Sequence, residues 1–370
     1  MNKVQGKHKK ICIVTISLGK GGAERSCAML SQMLSKMGHE VHIVLLNDRI
    51  SYPYSGTLFN MGLLKKGKDS EFKRLKRFVK LRSYLRKHDF DFVIDQRSKN
   101  QYFREVFYSR YIYHNVSTIY VTHSSNKRNY LTQEPNKFVK LCNKNYANVG
   151  VSNYIESSLL KASGMEKTFT IHNAFNPDWG KENNPLPRKL EGKTYILSYG
   201  RIVDAIKDYS FLIQAYEASS LWQRDIFLVI MGDGPDKQNL QQLAGKSAAA
   251  HKILFLPFDS SPFSVIKGAQ FVTLTSNFEG FPMVLVESLS LGTPVVSLDI
   301  VSGPNEIIEP ESNGLLIEER SIPLFAQAME RMVTDAALYE TCKKNASKSV
   351  NRFSMQEISK KWNQLLTHEA

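Results

Sequence analysis

The sequence predicts an α/β protein of two doubly wound domains facing a central cleft, on three observations. Short apolar runs alternate with helical stretches along nearly the whole chain. A single turn-rich stretch near 176–187 interrupts the alternation, which then restarts. The 370 residues, 42% hydrophobic and 23% charged, suffice for two cores without covalent staples.

In the first half, 11–17 reads as a buried strand, 23–37 as a helix stopped by Gly38, and 40–46 as the next strand, which makes a βαβ unit. Further strands are expected at 92–95, 117–122, 147–151 and 169–172. The alternation resumes with strands at 195–200, 226–231, 253–256, 271–274, 294–297 and 314–317, and helices at 210–218, 285–291 and 322–334. The domains are therefore set at 1–175 and 195–350, joined by a linker at 176–194. A final helix within 351–370 either closes the second domain or crosses back to the first. The cleft between two such sheets is the usual place for a ligand.

Composition removes several classes. Cys12, Cys27, Cys142 and Cys342 form no C-x-x-C pair and no disulfide framework, which suits a reducing, cytoplasmic location. Residues 1–10 are basic and 11–18 apolar, but Gly19-Lys20-Gly21-Gly22 follows with no cleavage site, so a first strand is expected rather than a signal peptide. No apolar run approaches the roughly 18 residues of a membrane span.

The net charge of +14 is unevenly placed: residues 1–175 carry 30 Lys plus Arg against 12 Asp plus Glu, whereas residues 176–370 carry 19 against 23. Much of the excess lies between Lys65 and Lys87. There Phe72, Leu75, Phe78, Val79, Arg82 and Leu85 recur at helical spacing on a strongly basic helix, 72–87. Such a helix packs its apolar stripe on its own sheet, or meets an anionic membrane, or does both if the stripe faces inward and the basic rim outward.

Each half supplies anion-binding groups. Leu18 to Arg25 joins a strand to a helix through Gly21 and Gly22, and glycines let a ligand approach the helix's unpaired N–H groups. The pattern is neither G-x-G-x-x-G nor a Walker loop, which weakens dinucleotide and P-loop readings. In the second half Gly200-Arg201 ends a strand and Lys207 follows; Arg grips phosphate as a fork and Lys as a point charge. Met231-Gly232-Asp233-Gly234-Pro235 reads as a tight turn. Asp233 and Asp236 have the wrong spacing for a diphosphate-bound metal, so no metal and no cofactor are expected. Glu279 and Glu287 bracket a helix start. Glu279 falls in the preceding loop and Glu287 on the second turn, with Gly280 and the amides of Phe281, Met283 and Val284 between them. Two acceptors flanking a phosphate site suit an extended nucleotide-sugar.

These motifs, in this order, resemble family 4 of the retaining GT-B glycosyltransferases over nearly the whole chain. Gly21-Gly22-Ala23-Glu24 matches the family's glycine turn, Gly200-Arg201 with Lys207 its diphosphate pair, and Glu279 to Glu287 its E-x7-E motif. Supporting matches are Val151-Ser152, Ile171-His172-Asn173-Ala174, Gly232-Asp233-Gly234-Pro235, Gly292-Thr293-Pro294-Val295-Val296 and Asn313-Gly314. The resemblance implies two Rossmann-like domains, the first for acceptor and the second for donor. It implies that Glu279 meets the donor sugar, Glu287 the ribose, Arg201 and Lys207 the diphosphate, and amides near Gly22 and Met283 assist. His123 takes the place of a histidine near the donor sugar. The usual Lys-Gly stands here as Lys207-Asp208, which puts that turn in doubt. Ser302-Gly303-Pro304-Asn305-Glu306-Ile307 is similar to a variant seen with UDP-galactose or UDP-N-acetylhexosamine donors.

The implied activity is retaining transfer of a hexose or N-acetylhexosamine from a nucleotide-sugar, UDP-linked by preference. The acceptor is a glycan or lipid-linked glycan in bacterial surface polysaccharide, lipopolysaccharide or glycoprotein-glycan assembly, and the enzyme is cytoplasmic or peripheral on the inner membrane face. An epimerase of the same fold would share the diphosphate contacts. A polyanion binder would use the charge but leave Glu279 and Glu287 idle, and no nucleic-acid partner is expected.

Overall fold

The computed structural model describes residues 8–65, 70–181 and 184–367. It contains two compact units, Met1–Ala174 with Met355–Ala370, and Phe175–Ser354. Lys66, Gly67 and Lys68 of the basic run, residues 1–7 of the basic start and 182–183 of the expected linker lie outside the described residues.

Unit 1 is built on seven strands: β1 (Lys10–Thr15), β2 (Glu40–Leu45), β3 (Thr57–Asn60), β4 (Phe92–Asp95), β5 (Ser117–Thr122), β6 (Ala147–Gly150) and β7 (Thr168–Thr170). They are parallel throughout, in the order 3-2-1-4-5-6-7, with Ile11 paired to both Val41 and Phe92. Unit 2 repeats the plan with β8 (Thr194–Tyr199), β9 (Ile226–Met231), β10 (Ile253–Leu256), β11 (Val272–Leu274), β12 (Val295–Leu298) and β13 (Gly314–Ile317), ordered 10-9-8-11-12-13. Parallel strands covered on both faces need continuous apolar sequence. The run from Ile11 to Val14 and the whole of β9 are accordingly buried. In each unit the strand order reverses beside the first strand, and the crevice at the carboxyl ends of the two diverging strands is where such sheets take ligands.

Seven helices are needed below: α1 (Gly22–Lys36), α2 (Glu71–His88), α3 (Tyr209–Ala218), α4 (Met283–Ser290), α5 (Ile322–Thr334), α6 (Ala336–Ser349) and α7 (Met355–Thr367). The last, α7, belongs to unit 1, where it packs on α1 and Tyr146 Oη donates to Leu365 O at 3.0 Å. The 176–194 stretch belongs to unit 2, where the Trp179 ring stacks on Phe263 at 5.3 Å.

The stripe expected on α2 divides in two. Leu81 and Leu85 are buried, and Phe78 packs edge-on to Phe107 at 5.1 Å. Phe72, Leu75 and Val79 instead point to solvent among Lys73, Lys76 and Lys80. At about 100° per residue, positions 72, 75 and 79 lie roughly 120° around the helix from positions 78, 81 and 85, too far to share one contact face. Among the described residues no helix is long and apolar enough to cross a membrane. All four cysteines are buried free thiols.

Candidate functional site

In unit 2 the switch point lies between β8 and β11, and the segments that carry Arg201, Lys207 and Glu279 follow those two strands. Gly200 and Arg201 follow β8 directly, and Arg201 is exposed. A short helical turn, Asp204–Lys207, carries Lys207 back toward the end of β11. Lys207 Nζ meets Glu279 Oε1 at 2.5 Å, with the two side chains 18% and 13% exposed. Ser276 Oγ donates to the same carboxylate oxygen at 2.8 Å.

Glu279 stands in the loop before α4, and Glu287 on its second turn. Glu287 is only 4% exposed, and Tyr199 Oη, from the end of β8, donates to its Oε2 at 3.0 Å. Between them the amino end of α4 has no side-chain cap, with Pro282 at the cap position and Gly280, Phe281 and Met283 buried around it. Val284 is half-buried there, and its carbonyl accepts from Tyr199 Oη at 3.1 Å. Uncapped amides at a helix start favour an anion.

Three glycines in unit 2 are there for backbone space. A Cβ on Gly232 would fall 1.9 Å from Gly200 O, and one on Gly234 1.9 Å from Ile202 O, so the 231–235 turn lies flat against the 200–202 turn. Gly303 (φ +102°) would meet Pro282 Cδ at 2.3 Å. With Ser302 Oγ donating to Gly280 O at 2.8 Å, the 302–304 segment buttresses the start of α4 from behind.

Unit 1 fills its own switch point differently. Asp95, at the end of β4, is fully buried and receives Arg97 Nη2 at 2.6 Å, Arg97 Nε at 3.0 Å, Lys99 Nζ at 3.2 Å and Tyr113 Oη at 3.1 Å. Arg97 also reaches the buried Glu105 at 3.0 Å. Burial opposes ionisation of Asp95, but Arg97 and Lys99 hold its carboxyl below the usual carboxylate range. Between these charges Gln96 turns toward His123, which follows β5 and donates from Nε2 to Gln96 Oε1. His123 Nδ1 is buried with no hydrogen-bond partner. Burial, reinforced by Lys99, lowers the His123 pKa to about 3, so the ring is neutral at physiological pH and its bare nitrogen is an acceptor. His123, Gln96, His172, Asn173 and Trp362 line a small cavity within unit 1. At the start of α1, Gly21 has extended backbone (φ 179°) and a Cβ on Gly22 would meet nothing within 4 Å. The fold itself therefore has no need of glycine at 22.

Comparison with known proteins gives this geometry its class. Residues 20–179 match the family model described as Glycosyltransferase Family 4, and residues 181–349 match Glycosyl transferases group 1. A Campylobacter jejuni protein named N-acetylgalactosamine-N,N'-diacetylbacillosaminyl-diphospho-undecaprenol 4-alpha-N-acetylgalactosaminyltransferase is 30% identical over 368 residues, 95% of this chain and 98% of its own. The chain belongs to the family 4, group 1 glycosyltransferases.

Other similarities to this glycosyltransferase are partial in sequence or confined to fold. An Escherichia coli lipopolysaccharide 1,6-galactosyltransferase is 30% identical over 192 residues, 50% of this chain and 52% of that protein. Anabaena HepE in complex with UDP-glucose superposes with a TM-score of 0.79 at 18% identity, covering 97% of this chain and all of that one. S. aureus TarM, in a complex containing UDP, gives 0.76 at 15% identity over 97% of this chain and all of that one. At those identities the structures show the fold alone, two Rossmann-like units of the GT-B type.

Sequence reasoning missed several residues of the glycosyltransferase's site regions. Tyr199 was hidden as one more apolar strand residue, although its hydroxyl donates to Glu287. Asp95, Arg97, Lys99 and Glu105 look like ordinary surface charges in one dimension. Asp208 takes the left-handed conformation (φ 50°, ψ 51°) that the family's glycine would supply, and its side chain caps α3 by accepting from Phe211 N at 3.2 Å, so the turn after Lys207 persists. Among the described residues, the His and acidic side chains close enough to share a metal are Glu40, His42 and His88. They lie at the amino-terminal edge of sheet 1, where His42 is already bonded to Tyr84 Oη at 2.5 Å and to Glu40 at 2.9 Å.

Proposed function

We propose that this glycosyltransferase transfers a hexose or N-acetylhexosamine from a UDP-sugar to a lipid-linked glycan or lipopolysaccharide acceptor, with retention of anomeric configuration. The observation that carries the reading is the Lys207–Glu279 pair beside the start of α4, with Glu287 on that helix and Arg201 exposed at the carboxyl end of β8. Together they offer cations and amides for a diphosphate, with a carboxylate on either side. In this layout Arg201, Lys207 and the amides at Phe281, Met283 and Val284 take the diphosphate, and Gly280 gives it room. Glu279 takes sugar hydroxyls, and Glu287, fixed by Tyr199, takes the ribose. Charge develops on the β-phosphate as the glycosidic bond breaks, so fixed cations favour the transition state over the ground state. The same oxygen receives the acceptor proton in front-face attack, and no covalent nucleophile is needed. The two side-chain cations fill the role a divalent metal plays in other transferases, so transfer proceeds without metal or cofactor.

The donor class and the acceptor class draw on the relatives. The full-length Campylobacter jejuni relative is named for a diphospho-undecaprenol-linked acceptor and the Escherichia coli relative for lipopolysaccharide. A basic unit 1 suits acceptors of that anionic kind. Neutral His123, which lines the unit 1 cavity and keeps a buried unpartnered Nδ1, offers an acceptor for a sugar hydroxyl. On α2, exposed Phe72, Leu75 and Val79 ringed by Lys73, Lys76 and Lys80 suit an anionic lipid surface at the cytoplasmic face.

The test is a panel of UDP-hexoses and UDP-N-acetylhexosamines incubated with polyprenyl-diphosphate-linked oligosaccharide or truncated lipopolysaccharide, with and without EDTA. Transfer that survives EDTA and yields an α-linked product from an α-linked donor is the expected result. Inversion, or free epimerised donor without transfer, would sink the reading. Vesicle flotation should show a preference for anionic lipid that is lost in a Lys73→Glu, Lys76→Glu, Lys80→Glu variant; equal binding to neutral vesicles removes the membrane role.

A further inference from the structure

Lys207 and Glu279 belong to two different loops, and their meeting at 2.5 Å depends on how those loops are fastened. The 204–208 turn and the 275–279 loop are stitched by Asn277 N donating to Ile206 O at 2.7 Å and by Thr275 Oγ1 donating to both Lys207 O and Asp208 O at 3.1 Å. A third strap comes from a distant part of the sequence. Arg320, in the connection between β13 and α5, donates from Nη1 to Asp208 Oδ2 at 2.6 Å and to Thr275 O at 3.1 Å, and from Nη2 to Ser276 O at 2.7 Å. Its planar fork thus holds one loop by a carboxylate and the other by two carbonyls, over the face of Phe211 at 5.4 Å.

The carboxylate end of this strap exists only because Asp208 stands where the family's usual turn has glycine. A glycine would adopt φ 50° at no steric cost, but it would offer Arg320 nothing. We infer that Arg320 is a positioning residue of the donor site: paired with Asp208, it fixes the spacing of Lys207 and Glu279 before the nucleotide-sugar arrives. The inference rests on the donor reading above. Arg320 itself touches neither Lys207 Nζ nor the Glu279 carboxylate. Its effect on the ligand passes through the two loops it ties.

Titration calorimetry with UDP on the whole chain tests this, comparing wild type with Arg320→Met, Arg320→Lys, Asp208→Gly and the Arg320→Met/Asp208→Gly double variant. Arg320→Met should weaken UDP binding about tenfold, because Asp208 keeps only its bond from Phe211 N, its other oxygen is left half-buried with no cation, and the loops loosen. Arg320→Lys should recover part of the loss, since an ammonium can serve the carboxylate but not both carbonyls. The double variant should bind better than the product of the two single effects, because removing Asp208 removes what Arg320 was needed for. Melting temperatures separate positioning from bulk stability. A role in stability alone lowers the melting temperature of Arg320→Met while leaving the UDP affinity of the folded protein at the wild-type value, and that result overturns the inference. Single effects that simply multiply also overturn it. A wild type that binds no UDP overturns the donor reading, and this inference with it.

Discussion

The two units share a strand order and a switch point beside their first strand, yet they treat charge there in opposite ways. Unit 1 folds Asp95, Arg97, Lys99 and Glu105 into its interior, where two anions and two cations satisfy one another. Unit 2 leaves Arg201 exposed and Lys207 and Glu279 partly exposed, beside a helix start whose cap residue, Pro282, supplies no side-chain hydrogen bond. Topology fixes where a crevice opens, and the accessibility of the charges decides whether they are taken up in the fold or left open to an anionic ligand. In unit 1 the buried network is a frame for Gln96 and, through it, for the neutral imidazole of His123.

The largest effect should come from breaking the closed network. Arg97→Met leaves Asp95 and Glu105 buried with too few partners, and removing one side of a buried charge set costs about 3–5 kcal/mol. Urea denaturation should show a strongly weakened unit 1, and protease should cut there first. The same substitution at Arg201 should leave stability almost unchanged, since an exposed cation contributes little to folding.

Next come the open charges. Glu279→Ala should lower kcat by about a hundredfold with a smaller change in donor KM, because in the proposed layout its contact with the sugar matters most as the glycosidic bond breaks. Glu287→Ala should chiefly raise donor KM, by about tenfold, and Tyr199→Phe should reproduce part of that rise by freeing the Glu287 side chain. Steady-state kinetics over a donor series separate the two patterns.

The pH dependence sharpens the contrast further. His123 has a folded-state pKa near 3 against about 6.5 in the unfolded chain, so the unfolded state binds more protons between those values. Stability from the neutral ring is complete above about pH 6.5 and is lost as pH falls toward 3. Asp95, held below its usual range, adds a loss beginning near pH 4. His123→Asn should therefore flatten the slope of melting temperature between pH 6.5 and 4. Part of the slope should remain, because burial also lowers His39 and His88. A slope unchanged by His123→Asn would mean that the ring is charged in the folded protein.

What the sequence made legible follows the same division. Twelve of the thirteen strands are legible in the sequence, most of them because a strand covered on both faces can scarcely avoid an apolar run; β7, an edge strand with Phe169 40% exposed, is legible only through Phe169 and the Ile171 that follows. The one that is not, β3, is an edge strand, Thr57–Asn60, with one exposed and three half-covered residues and no apolar run to announce it. Arg201, Lys207, Glu279 and Glu287 could be singled out because glycines and a helix start mark their surroundings. Tyr199, Arg320 and the Asp95 network could not, because their partners lie 88, 112 and up to 18 positions away and meet only once the sheet is assembled. The outward turn of Phe72, Leu75 and Val79 was open to a stricter reading of helical angle than spacing alone provides.

The most direct test of the open-charge account is thermal melting of the wild type and of Arg201→Ala in the presence of UDP and a panel of nucleotide-sugars. Wild-type melting temperature should climb with UDP or UDP-sugar concentration, the stabilisation reaching about 2.7 kcal/mol at a hundred times Kd, while Arg201→Ala, equally stable alone, should need far more ligand for the same shift. A wild type whose melting temperature is unmoved by every nucleotide and nucleotide-sugar, or an Arg201→Ala variant that responds as the wild type does, would contradict it.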